Sequence, residues 1–182
     1  MEIIRVHRTS LLFTLLLGSA SLGTWTSWAV VNHSWPFCGG SIIDAPMNPM
    51  NVQNLTQTSN LVVLGSIDSV GPSWKVQTGR IVTNVSIMVS EFLKPQGGAG
   101  ATKIVASGGT IGCYSETVGS EPDFTTGESV VLFLVQSPDG YARVTGGAQG
   151  KYTVSNGVAY PAGGSASPMA LNDLISEIRQ YS

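Results

Sequence analysis

Three carboxylates close together in the second half of the chain are the first candidates for chemistry. Glu121, Asp123 and Glu128 lie in a polar stretch that follows Cys113. Carboxylates in such a loop could bind Ca²⁺ or act as a general acid and base. Their spacing matches no calcium-ligand pattern, so the sequence favours a solvated acidic loop, with Phe124 pointing inward to hold it.

The two cysteines of the chain, Cys38 and Cys113, are the next candidates. In an oxidising compartment an isolated pair most simply forms one disulfide. Such a bridge closes a loop of about 75 residues and stabilises a fold by about 4 kcal/mol on the chain-entropy estimate. We therefore predict that Cys38 and Cys113 are bridged, and the alternative is two free thiols.

The residues that other catalytic sites require are scarce. Beyond the N-terminal leader the only histidine is His33, in an arm interrupted by glycine and proline, so neither a nucleophile–histidine pair nor a histidine-rich zinc site is expected. The glycine runs before Lys103 and Lys151 lack the Ser or Thr that follows the lysine of a phosphate-binding loop. The sequence predicts a non-enzymatic protein without metal or cofactor, and chemistry by the loop carboxylates is the remaining alternative.

The N-terminus predicts export. A basic start is followed by an apolar run, Leu11–Leu17, and by small residues at Ser27 and Ala29 that suit a signal peptidase. Residues 1–29 are therefore interpreted as a signal peptide. The alternative is an uncleaved anchor, because residues 11–31 carry no charge. The predicted location is secreted or extracytoplasmic, at the cell surface or in the periplasm, with membrane contact only if the leader is uncleaved.

The charge balance excludes one class of partner. Charged residues make up 11% of the chain, against about 25% in an average soluble domain. Removing Glu2, Arg5 and Arg8 with the leader leaves seven basic and ten acidic side chains, a net charge of about −3. Because such a surface does not attract phosphate backbones, no nucleic-acid partner is expected.

The segments that must position these residues are mostly strands. Residues 30–50 are interpreted as an irregular arm, since glycines and prolines interrupt them, and a short helical turn is expected within Asn51–Ser59. Alternation of apolar and polar residues is clearest over Ile81–Leu93. The other predicted strands are Leu61–Val70, Thr102–Ala106, Ser129–Val135, Tyr141–Thr145, Lys151–Ser155 and Val158–Tyr160. Gly71-Pro72 is expected to end the first strand, and Tyr114–Glu128 to form a loop.

Two local signals define the end of the chain. Asn156-Gly157 predicts a type I′ turn between the last two strands. Ser167-Pro168 predicts the start of an amphipathic helix within residues 164–182, which would cover an open end or edge of the sheet. Residues 51–163 are therefore predicted to be a mainly β domain, a small, partly open Greek-key barrel of OB type with about five to six strands.

Several segments also carry a resemblance to a known layout. The motifs LVVLGSIDSV, GRIVTNVSIMVSEFLK, GGTIGC, FTTGESVVLFL and GGAQGKYTV resemble an uncharacterised family of exported microbial OB-fold-like domains. That family is similar in layout to netrin-like modules and to the tissue inhibitors of metalloproteinases. The resemblance covers roughly Asn51–Tyr160 and implies a protein partner, with an extracellular metalloprotease as the candidate.

The resemblance also implies roles for the two cysteines. In the metalloproteinase inhibitors, an N-terminal cysteine is bridged to the region after the third strand and chelates the protease zinc. Cys113 lies where the second cysteine of that bridge is expected, and Cys38 could be the first. Cys38 departs from the pattern, because the predicted cleavage leaves Val30 as the N-terminus.

These observations lead to one functional prediction and one alternative. The prediction is an exported binding module, regulating an extracellular metalloprotease as an inhibitor-like partner, that uses a rim formed by Cys38, Glu121, Asp123 and Phe124. The alternative is a membrane-anchored structural component of the cell envelope, held by an uncleaved leader.

Overall fold

The computed structural model describes residues 38–75, 78–95, 100–138 and 140–182. The predicted signal peptide, its cleavage site and His33 lie outside the described residues. Among the residues it describes, no helix has the length and apolar character needed to cross a membrane.

The described chain is mainly β. Its first half contains β1 (Gly40–Ile43), α1 (Val52–Thr58), β2 (Leu61–Lys75), β3 (Arg80–Lys94), β4 (Gly100–Ser107) and β5 (Gly109–Ile111). Its second half contains β6 (Tyr114–Val118), β7 (Ser129–Gln136), β8 (Ala142–Val144), a 3₁₀ turn (Gly147–Gly150), β9 (Lys151–Ser155), β10 (Val158–Pro161), β11 (Met169–Ala170) and α2 (Leu171–Gln180).

Five of these strands close into a barrel. Their order is β7-β2-β3-β4-β8 within an eight-stranded sheet that continues from β7 through β9 and β10 to β11. The strand β8 also pairs with β7, which closes these five strands into a ring. The strand β8 pairs in parallel with β4, where Ala142 lies opposite Ile104. It pairs antiparallel with β7 along Leu134–Gln136. The predicted small Greek-key barrel with a C-terminal helix is therefore confirmed, and it is closed where the sequence predicted a partly open one.

The strand β7 separates two hydrophobic cores. Val130, Leu132 and Leu134 point into the barrel, while Val131 and Phe133 point outward beneath the helices. All five are fully buried, which explains why residues 130–134 are apolar at every position rather than at alternate ones. The inner core contains residues from all five barrel strands. The outer core joins α1, α2, β9 and β10 to the barrel strands β2, β3 and β7. In the outer core, burial raises the pKa of Tyr152, and the charge of Glu177 raises it further.

The hairpin of β2 and β3 is longer than predicted. Its β2 strand continues through Gly71-Pro72 to Lys75, so the predicted end at that pair is wrong. The reason is that β7 pairs with β2 only as far as Ser66. Beyond that point β2 has an edge without a strand partner among the described residues, and a proline, which has no N–H to donate, is tolerated there. The hairpin thus extends past the barrel and carries Trp74 and Arg80 to its end.

The helix α2 begins later than predicted. Ala170 is its N-cap residue and makes no side-chain cap hydrogen bond, so the predicted start at Ser167-Pro168 is wrong. Met169 and Ala170 pair with β10 as β11, which keeps the backbone extended up to Leu171. The helix is amphipathic, as predicted, since Leu174 and Ile178 are fully buried in the outer core and its other side is exposed.

The arm contains regular structure that the sequence did not predict. Gly40–Ile43 pairs in parallel with Tyr114–Val118, which lies in the segment predicted to be a loop, and the latter pairs with β5. These strands form a second sheet of order β1-β6-β5. Cys38 and Cys113 are bridged, with their Cα atoms 5.2 Å apart, as predicted. The bridge holds the two segments side by side two residues before their pairing begins, so a long-range constraint aligns two short strands that the local sequence did not predict.

The disulfide provides a test of how the arm is held. Replacing Cys38 and Cys113 together by serine should lower the free energy of unfolding by about 4 kcal/mol, because the bridge closes a loop of about 75 residues. Urea denaturation of the wild type and the double variant measures the difference. Reductant should lower the wild-type midpoint to that of the double variant and leave the variant unchanged. A wild-type midpoint that stays the same after mass spectrometry shows full reduction would contradict this account.

Candidate binding surface

The three loop carboxylates do not form a common site. Glu128 pairs with the Lys151 ammonium at 2.7 Å and accepts the Thr125 N–H at 2.8 Å. Lys151 also donates to the main-chain carbonyl of Asp123 and lies 4.9 Å from the centre of the Phe124 ring. Lys151 is almost completely buried. Glu128 is therefore part of a structural ion pair that holds the loop against β9.

The other two carboxylates have different surroundings. Asp123 is exposed and contributes its carbonyl oxygen to the Lys151 contact. Glu121 is half-buried and lines a cavity of about 280 Å³ together with Asp123 and Phe124. Throughout the described ranges, no group of three or more His, Cys, Asp or Glu residues is close enough to hold a metal ion.

The four residues of the predicted rim lie at the two ends of β6. The Cys38–Cys113 bridge precedes this strand, whereas Glu121, Asp123 and Phe124 follow it. Pairing of β1 with β6 runs the whole length between them, from Gly39, which accepts the Ser115 N–H, to Ile43, which accepts the Gly119 N–H. The arm and the loop thus adjoin one strand, but only the three loop residues share a cavity.

Glu116 in the middle of β6 is a residue that sequence reasoning missed. It is only 9% exposed and lines three cavities, of about 280, 260 and 150 Å³. Its Oε1 accepts hydrogen bonds from Nε of Arg80 at 2.8 Å and lies 2.8 Å from Nη2 of the same guanidinium. Its Oε2 accepts the Ile81 N–H at 3.5 Å. This carboxylate ties the small sheet to the end of the β2–β3 hairpin, and no local pattern links two residues so far apart in the chain.

An exposed aromatic pair was also missed. Trp74 and Tyr114 are 46% and 37% exposed, and their ring centroids are 5.8 Å apart with an interplanar angle of 72°. This edge-to-face geometry is a favourable one for aromatic rings. Both rings line the 260 Å³ cavity, together with Gly39, Gly40 and Ser41 of the arm. No local pattern links these two residues, because they lie on strands of different sheets.

The strand β1 has an open edge beside this pair. It is the terminal strand of the β1-β6-β5 sheet, so within the described ranges only one of its edges is paired. Gly39 and Ile43 direct their carbonyls to β6. Because backbone groups alternate along a strand, Gly40 and Ile42 direct their N–H and C=O groups to the open edge. The Ile42 side chain is 86% exposed. We define the arm surface as β1, Trp74 and Tyr114.

The sequence of the chain was compared with protein families and with curated proteins. No protein-family model matches the chain, and no curated protein matches it by sequence. The assignment of a function to the arm surface therefore depends on its geometry and chemistry.

The Lys151–Glu128 pair can be tested against an exposed ion pair in the same protein. Replacing Glu128 by glutamine should lower the free energy of unfolding by about 3–5 kcal/mol, because the buried Lys151 ammonium loses its counter-ion. The matched control, Glu91→Gln, breaks the exposed pair with Arg179 and should cost less than about 1 kcal/mol. Urea denaturation measures both values. Equal losses in the two variants would show that Glu128 does not anchor the loop.

Proposed function

We propose that this protein is an extracytoplasmic, non-enzymatic binding module that takes up an extended segment of a partner protein on its arm surface. The observation that carries the proposal is the open edge of β1 next to the exposed Trp74–Tyr114 pair. The disulfide that holds this edge in place is consistent with a location outside the cytoplasm, because such bridges persist in oxidising compartments.

Strand addition is the binding mode that suits this surface. An extended peptide beside β1 would exchange backbone hydrogen bonds with Gly40 and Ile42, and backbone bonds of this kind supply affinity without requiring a particular sequence. Side-chain specificity would come from the 260 Å³ cavity, which Trp74 and Tyr114 line. Tryptophan and tyrosine are the residues most often found where interface binding energy is concentrated. The partner segment is therefore expected to be apolar at the position that meets the two rings.

A photo-crosslinking side chain at position 42 tests this proposal directly. Placed there in the exported protein in its native compartment, it should give a discrete covalent product with a partner. Trp74→Ala should lower the yield of that product by about tenfold or more, because truncating an interface anchor costs at least about 2 kcal/mol. The control position is 88, since Met88 is 56% exposed on β3, away from the arm. Equal yields from positions 42 and 88, or a yield unaffected by Trp74→Ala, would contradict the proposal.

An extracellular metalloprotease is the partner that the resemblance to the metalloproteinase inhibitors suggests. What supports it is the bridge from the arm to Cys113, between β5 and β6, which resembles the bridge in those inhibitors. Zinc chelation by the arm would require Cys38 to be the first residue, with a free α-amine beside its carbonyl.

The proposal that the partner is a metalloprotease is tested with two chains that differ only in the residue at which they begin. A chain that begins at Cys38 should inhibit a zinc metalloprotease stoichiometrically, and a chain that begins at Val30 should not, because eight residues would precede the chelating group. Inhibition by neither chain would remove the protease as partner and leave strand addition to be judged by crosslinking. Equal inhibition by both would show that zinc chelation by Cys38 is not the mechanism.

A further inference from the structure

A separate cavity at the end of the β2–β3 hairpin collects positive charge. It has a volume of about 150 Å³, and its charged lining residues are Lys75, Arg80, Arg143 and Glu116. Three basic groups and one carboxylate leave a net charge of +2 at this place, whereas the whole chain has a formal net charge of −2. The positive charge of this cavity is opposite in sign to the net charge of the chain, and an anion bound there would neutralise it.

Two of the three basic groups have no carboxylate partner in the described part of the chain. The ion pairs there join Arg80 to Glu116, Lys151 to Glu128 and Arg179 to Glu91. Lys94, which is also basic, donates to the carbonyl of Thr56. The Lys75 ammonium and the Arg143 guanidinium make none of these contacts, although both line the cavity.

The third basic group, the Arg80 guanidinium, is held in position by Glu116 and has N–H donors that Glu116 does not use. The carboxylate of Glu116 contacts Nε and Nη2, which lie on one side of the Arg80 guanidinium. A guanidinium has five N–H donors, so the remaining ones can bind a second acceptor. Ser107 and Thr78 add hydroxyl groups to the same lining. Glu116 is thus a positioning residue, and the cavity combines cationic with neutral donors.

We infer that this cavity binds a single tetrahedral oxyanion group, sulfate or phosphate, between Lys75, Arg80 and Arg143. Charged hydrogen bonds from guanidinium and ammonium groups match the oxygens of such an anion. The volume is below the roughly 300–1,000 Å³ of pockets that enclose a whole small molecule, so the ligand is one anionic group rather than a large compound. The anion is either free in solution or the terminal ester of a larger molecule.

Titration of the exported protein by NMR tests the inference. Sodium sulfate and sodium phosphate are added separately at constant ionic strength, which keeps screening of surface charge unchanged. Saturable shifts are expected in the amides of Thr78, Arg80, Ser107 and Arg143. Sugar 6-sulfate and 6-phosphate are then compared with the inorganic anions. Equal affinity indicates a free anion as the ligand, and clearly tighter binding of one sugar indicates an ester of that kind.

Matched charge variants decide whether the cavity is the site. Lys75→Gln and Arg143→Gln should each weaken binding by about tenfold, the loss expected for one charged hydrogen bond. Lys103→Gln is the control, because it removes the same charge from an exposed β4 position outside the cavity lining. Circular dichroism should show unchanged folding in all three variants. Shifts that rise linearly without saturation, or equal weakening by Lys103→Gln, would overturn the inference.

Discussion

The rest of the structure depends on the burial of β7 on both faces. This strand pairs with β2 on one side and with β9 and β8 on the other. Its inward residues fill the barrel, and its outward residues form the floor on which the two helices pack. Burial of several large apolar side chains on one strand is worth roughly 1.5–3 kcal/mol for each of them. That stabilisation allows the barrel to carry a second, smaller sheet that has almost no core of its own.

The small sheet is attached to the barrel by constraints of three different kinds. The disulfide joins the chain just before β1 to the chain just before β6. The Glu116–Arg80 pair joins its middle strand to the β2–β3 hairpin. Gly108, with a φ of 93°, brings β4 and β5 so close to β6 that an added Cβ would lie 2.6 Å from the carbonyl oxygen of Glu116. Glu116 lines both the cavity beside the arm surface and the basic cavity, so the two proposed binding sites share this support while they differ in chemistry.

Elements whose cause is local were predictable, and elements whose cause is distant were not. Asn156-Gly157 has positive φ at both residues, 51° and 77°, as a type I′ turn requires. The alternation over Ile81–Leu93 appears as the buried residues Ile81, Val85, Ile87 and Leu93. Pro72 and Ser167-Pro168, by contrast, are strong local signals that their surroundings overrode. Pro72 is tolerated because β2 has an open edge at that point. Pairing with β10 keeps Met169 and Ala170 extended, so the helix begins after the predicted cap.

By itself the sequence determined the barrel, its apolar central strand, the buried face of α2 and the pairing of Cys38 with Cys113, because periodicity and the count of cysteines express these features directly. Only the tertiary structure decided what the arm becomes. The four-residue strand β1 forms where the bridge brings the arm beside β6. Trp74, Tyr114, Arg80 and Glu116 meet there from separate parts of the chain. Such a site arises from contacts between residues about 35–40 positions apart, and neither periodicity nor spacing records contacts at that range.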